Sequence, residues 1–182
     1  MVLHTEESGH ALIELAMMVT LLTVVVLAVI DFSRATYAVE VLKNLAGEGS
    51  SMASRGMTPI DTATKVVNYA GNDLNMSTKG CVIVTAVTCQ TNPCNGGGAN
   101  VQVTSQASKC GITAASKIGC LKGQGGCNSS NATIPSNAGL ALQLNQSLYI
   151  TEVFYKYNTV TPLPKFMGNG VLPSQLYSAA YY

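Results

Sequence analysis

From Ala11 to Ile30 the chain is an almost unbroken apolar run, in which Glu14 is the one ionisable residue and Thr20 and Thr23 are the only other polar ones. As a helix, a run of that length rises about 30 Å, the thickness of a hydrocarbon core. A secretory signal peptide would carry a shorter apolar core, a basic leader and a small-x-small cleavage site. Here the run passes straight into Asp31-Phe32-Ser33-Arg34, so it reads as a retained membrane helix behind a leader too short to be a domain. Beyond it Phe32, Ala35, Ala38, Val39, Leu42, Leu45, Ala46 and Met52 recur at spacings of three and four, the apolar stripe of a helix that continues out of the bilayer. Asp31, Arg34, Glu40, Lys43 and Glu48 fall mostly off that stripe and read as solvated. Gly47 and Gly49, with Ser50 and Ser51, weaken the helix, which predicts an end or a kink between Gly47 and Gly56.

The pattern then changes. Thr58-Pro59-Ile60-Asp61 is a helix start, with a capping hydroxyl, proline at the first position and an acid in the first turn. The helix it opens is expected to reach about Ala70, with Gly71 as its stop and Val66, Val67 and Ala70 turned inward. Cys81–Cys89 is rich in β-branched residues and predicts a strand, with cysteines at both ends stapling it to neighbouring loops. Asn92–Gly98 is a turn-rich connection, and Asn100–Ser105 alternates as a second strand. Residues 106–138 show little periodicity and predict a disulfide-pinned loop, with a short helix near Ala114–Ile118. Gly139–Leu144 is apolar but short. Leu148–Tyr157 is the other clear strand, followed by a turn at Thr161-Pro162-Leu163-Pro164. The tail Phe166–Tyr182 predicts a return with a closing segment around Val171–Leu176.

Composition narrows the function classes. With charged residues at 10% and a net charge of +1, the chain has no electrostatic footprint for nucleic acid. The two histidines, His4 and His10, precede or open the apolar helix, so the domain beyond it has none. Its acids, Asp31, Glu40, Glu48, Asp61, Asp73 and Glu152, form no constellation with a nucleophile. Glu152 in particular reads as an exposed strand residue. Neither an enzyme nor a cofactor or metal site is expected. The six cysteines, Cys81, Cys89, Cys94, Cys110, Cys120 and Cys127, all follow the helix and sit among Gly, Asn and Ser. An even count in such a segment reads as a disulfide framework made in an oxidising compartment, with the pairing left open. Zinc is the weaker alternative, because no C-x-x-C and no nearby histidine is present. Positive charge argues faintly for the reverse orientation, since Arg34 and Lys43 follow the helix and no Lys or Arg precedes it. The cysteines outweigh it and place the C-terminal domain outside the cytoplasm.

Glu14 is expensive inside a membrane helix and is therefore a functional candidate, against the plainer reading of a carboxylate snorkelling to the headgroups. Its position relative to Gly9 gives it a partner. Cleavage after Gly9 would make Glu14 the fifth residue behind a new α-amino group on His10, an arrangement that resembles the processing site of type IV prepilins. Ala11-Leu12-Ile13-Glu14-Leu15-Ala16, Asp31-Phe32-Ser33-Arg34 and Asn44-Leu45-Ala46-Gly47-Glu48-Gly49 together resemble the TadE-like minor pseudopilins of tight-adherence (Tad/Flp) pilus systems. Tyr149–Tyr157 with Thr161-Pro162-Leu163-Pro164 is similar to that family's closing strand and turn. The middle of the chain carries no such likeness. The leader departs from the family in holding Glu6 and Glu7 and no Lys or Arg, and Val19-Thr20 stands where the family's helix often has proline.

The resemblance implies an α+β lollipop: a leader over 1–9, a transmembrane and stem helix over 10–56, and an extracytoplasmic domain over 57–182. That domain would hold a three- or four-stranded, mostly antiparallel sheet and a cysteine-rich region over 81–127. It implies a minor pilin or pseudopilin of the inner membrane, processed at Gly9/His10 by a prepilin peptidase and assembled with other pilin subunits through Glu14, supporting pilus biogenesis and surface adhesion. The alternative is a single-pass anchored adhesion or binding module, outside any filament, whose polar insert Cys89–Ala138 contacts a partner.

Overall fold

The computed structural model describes residues 5–70, 74–91, 94, 97–123, 127–134, 142–161 and 173–182. Helix α1 runs from Thr5 to Ser54, 50 residues without a break. Its polar residues are made tolerable by bonds back along the helix. The hydroxyls of Thr20, Thr23, Ser33 and Thr36 donate to the carbonyls of Met17, Val19, Val29 and Phe32 at 2.8–2.9 Å, so these hydroxyls need no donation to the surroundings. The end is a Schellman motif. Gly56 takes φ +93°, its N–H donates to Ala53 and the Met57 N–H reaches the Met52 carbonyl, a geometry that glycine adopts without a Cβ penalty. The stop thus lies within the Gly47–Gly56 window, past both interior glycines.

The chain divides into two compact units, Met1–Tyr37 with Asn158–Pro173, and Ala38–Tyr157 with Ser174–Tyr182. In the second unit, α2 spans Pro59–Tyr69, and the Thr58 side chain accepts the Asp61 N–H while its hydroxyl donates to the Asp61 carboxylate at 2.6 Å. Thr62, Ala63, Val66 and Val67 are buried, and Ala70 is the C-cap. A single turn, α3 (Met76–Lys79), leads into β1 (Gly80–Cys89). The remaining strands are β2 (Gly97–Cys110), β3 (Asn131–Thr133), β4 (Ser147–Lys156) and β5 (Gln175–Tyr181). They form one antiparallel sheet in the order β3-β2-β1-β4-β5.

Strand β1 is central and buried along nearly its whole length, as its continuous β-branched run requires of a strand covered on both faces. On one face Val87, Leu148 and Ile150 join Val101, Val103, Ile118, Ala132 and Ile134 in a core cluster. On the other, the helices pack. A Cβ built on Gly49 of α1 would stand 2.7 Å from the Thr151 methyl of β4 and 3.0 Å from a Val66 methyl of α2, so glycine is what lets helix, helix and sheet close together there.

The α+β architecture with a long apolar helix and an antiparallel sheet is as expected, with five strands where three or four were foreseen. The extra ones are β3, three residues long, and β5, which runs to Tyr181 rather than ending at Leu176. Two expectations about the cysteine region are corrected. Strand β2 continues to Cys110, because its polar residues pair with β1 through main-chain bonds that need no apolar alternation. Ala114–Ile118 is irregular, with a bend at 117–118, rather than helical, since its donors are drawn into the sheet face, as shown below. The Gly71 stop, the Pro162–Pro164 turn, Gly139–Ala141 and the return from Phe166 to Leu172 lie outside the described residues.

Candidate functional site: the apolar stem and two buried carboxylates

All six cysteines are paired, as Cys81–Cys110, Cys89–Cys94 and Cys120–Cys127. The second ties the end of β1 to the following loop, as foreseen for a strand terminus. The first differs: Cys81 and Cys110 are direct cross-strand partners in the β1–β2 register, so that bridge joins strand to strand. The third closes the loop in front of β3. Among the described residues no group of three or more His, Cys, Asp or Glu side chains could hold a metal ion.

The first unit is dominated by the surface of α1. Leu12, Leu15, Leu21, Leu22 and Val29 are 58–67% exposed, a continuous apolar surface that water does not tolerate and that lipid or other apolar helices satisfy. Among the described residues this is the one helix long and apolar enough to cross a membrane. Gly9, His10 and Glu14 all lie on it and are exposed. His10 and Glu14 are four residues apart, hence neighbours on one face.

Asp31 and Glu152 were expected to be solvated, and both are buried, at 3% and 0% exposure. Asp31 ends the apolar run. One carboxylate oxygen accepts the Val160 N–H at 3.1 Å and the Thr161 N–H at 3.3 Å, and the other accepts the Thr161 hydroxyl. Against the opposing effect of burial, charge-assisted bonds of this kind, with the charge of Arg34 nearby, hold the Asp31 carboxyl below its ordinary range. It also satisfies backbone groups of a segment 129 and 130 residues away. Nothing in the helical periodicity marks this role, which exists only because the returning chain passes there.

Glu152 lies on β4 opposite Ile83. It accepts the Lys117 N–H at 2.8 Å and the Tyr177 hydroxyl at 3.1 Å on one oxygen, and the Ser116 hydroxyl on the other. These bonds hold 116–117 against the sheet and drop Ile118, 2% exposed, into the core cluster, which is why no helix forms there. Tyr177 packs on Phe154 with ring centroids 4.9 Å apart and the planes tilted by 47°, and the Lys117 ammonium lies 3.8 Å from the centre of the Tyr177 ring. Burial, then the charge of Glu152 and the bond to it, push the Tyr177 phenol well above its ordinary range. The signal for Glu152 was present: it alternates with Leu148, Ile150 and Phe154, all buried, so its parity is inward. The three-donor environment built by β5 and the 111–120 loop was invisible in that pattern.

Glu152 ties together elements of the second unit and opens onto no reacting partner, so it reads as structural. A cleft of about 660 Å³ lies nearby, bordered by Ile60, Ile83, Gln106, Ser108, Ser116 and the Cys120–Cys127 bridge. It contains no titratable side chain. The family model described as TadE-like protein matches residues 9–51, from the Gly9–His10 pair through nearly the whole of α1. No curated protein and no solved structure matches the chain. Over the stem that carries Gly9, His10 and Glu14, the chain is therefore similar to TadE-like proteins, a family associated with Tad pilus systems.

Proposed function

We propose that this chain is a minor pilin or pseudopilin subunit, anchored in the inner membrane by α1 and assembled through the same helix into, or at the base of, a Tad-type pilus that supports surface adhesion. The observation that carries the reading is the match over residues 9–51, on a helix whose apolar side chains are uncovered and whose apolar run holds one carboxylate, Glu14. A prepilin peptidase would cut between Gly9 and His10. The new ammonium of His10 on one subunit would then meet Glu14 of the next as the helices bundle. Each charge offsets the desolvation of the other, which turns an unfavourable residue into a register mark between subunits. Three disulfides in the second unit support an exported domain, since such bonds persist in oxidising compartments. We assign the protein no catalytic activity and no cofactor; its partners are other pilin subunits, the peptidase and the membrane.

Intact mass with N-terminal sequencing of the protein from its native membrane tests this. A chain that begins at His10 is the expected result, and Glu14→Leu should then leave membrane insertion intact while abolishing co-purification with other pilus subunits. A mature chain beginning at Met1 would deprive Glu14 of its amine partner. The protein would then be better described as an anchored binding module that presents its disulfide-rich domain.

A further inference from the structure

The apolar run ends at Ile30, and Asp31 is the first residue past it. Its helical neighbours Val29, Ile30 and Phe32 are 58, 43 and 66% exposed, whereas Asp31 is 3% exposed. The difference is made by the returning chain, whose Val160 and Thr161 N–H groups and Thr161 hydroxyl are all given to the Asp31 carboxylate. Twenty residues at about 1.5 Å each fill the hydrocarbon thickness. An ionised carboxylate is costly inside that thickness and accepted at its edge. Asp31 therefore marks the edge, and its hydrogen bonds place Val160 at the same depth. Val160 is 60% exposed. Both backbone donors of the Val160–Thr161 pair are already satisfied, so the strip can meet a lipid surface with an apolar side chain and without leaving those donors unpaired.

We propose that the stretch around Val160 is a second membrane contact, seated by Asp31 at headgroup depth on the domain side of the bilayer, with Val160 turned to lipid. The proposal rests on α1 spanning the membrane. Asp31 acts as the positioning residue, and because it directly follows the exposed apolar run of α1, the Val160 side chain is held at the end of that run, which is what favours lipid over water as the occupant.

The test uses the full chain, with its disulfides formed, in vesicles of phosphatidylethanolamine and phosphatidylglycerol. Val160→Cys and, separately, Leu21→Cys are labelled with an environment-sensitive fluorophore and challenged with lipids carrying a quencher either at the headgroup or near the acyl-chain end. The expected result is loss of emission at 160 with headgroup quencher, little with the deep quencher, and the opposite order at 21. In the Asp31→Ala background the headgroup quenching at 160 should fall while that at 21 stays. If 21 is quenched and 160 is not, or if Asp31→Ala leaves quenching at 160 unchanged, the seating is wrong although the membrane span stands. If neither position is quenched, the span itself fails and the proposal with it.

Discussion

Glu152 shows how much a single side chain can organise when every donor around it is turned inward. Ser116, Lys117 and Tyr177 all donate to its carboxylate, and the loop they belong to, in part, covers one face of the sheet. Removing the acceptor leaves those donors buried without partners, and each charge-assisted bond contributes on the order of 1.5–3 kcal/mol. Glu152→Ala should therefore destabilise the domain by about 3 kcal/mol or more. Glu152→Gln, which keeps an acceptor oxygen, should cost less. Denaturant titration of the two variants against the parent checks this. Equal and negligible shifts would mean that water reaches these donors and that the carboxylate is dispensable to the fold.

At the scale of the element, α1 contains two interior glycines with opposite environments. A Cβ on Gly47 would meet nothing within 4 Å, while one on Gly49 would press on Thr151 and Val66. Gly47→Ala should raise stability by about 0.5–1 kcal/mol, because alanine loses less backbone entropy in a helix. Gly49→Ala should lower it by about 1–3 kcal/mol through overpacking, despite the same gain in propensity. Thermal melts of the two variants decide the matter, and a stabilising Gly49→Ala would show that α1 can shift away from β4. The sequence alone treated both glycines as weak points of the helix. Propensity is local and the same for each; what separates them is a methyl group on β4, 102 residues later in the chain than Gly49.

For the molecule as a whole, the three disulfides restrain loops of different size. Cys81–Cys110 closes a separation of 29 residues and Cys120–Cys127 one of 7. On chain entropy the larger should contribute about 3.5 kcal/mol and the smaller about 2.5 kcal/mol. Replacing Cys81 and Cys110 by alanine should thus cost more than replacing Cys120 and Cys127, as read from the denaturant midpoints of the paired variants. The reverse order would place the effect in native contacts around the 120–127 loop rather than in the unfolded chain.

What the sequence determined by itself was everything that depends on neighbours along the chain. The apolar run Ala11–Ile30, the Thr58-Pro59 start of α2, the β-branched β1 and the family likeness over the stem are all local or periodic. So is the inference that six clustered cysteines pair with one another. The tertiary structure decided what depends on chain passing beside chain: which cysteines pair, that β3 and β5 complete the sheet, and that Ala114–Ile118 forms no helix. It also turned Asp31 and Glu152 from apparent surface acids into buried anchors, since a carboxylate is solvated or held according to which donors the fold brings to it, and those donors lie at residues 160–161 and at 116, 117 and 177.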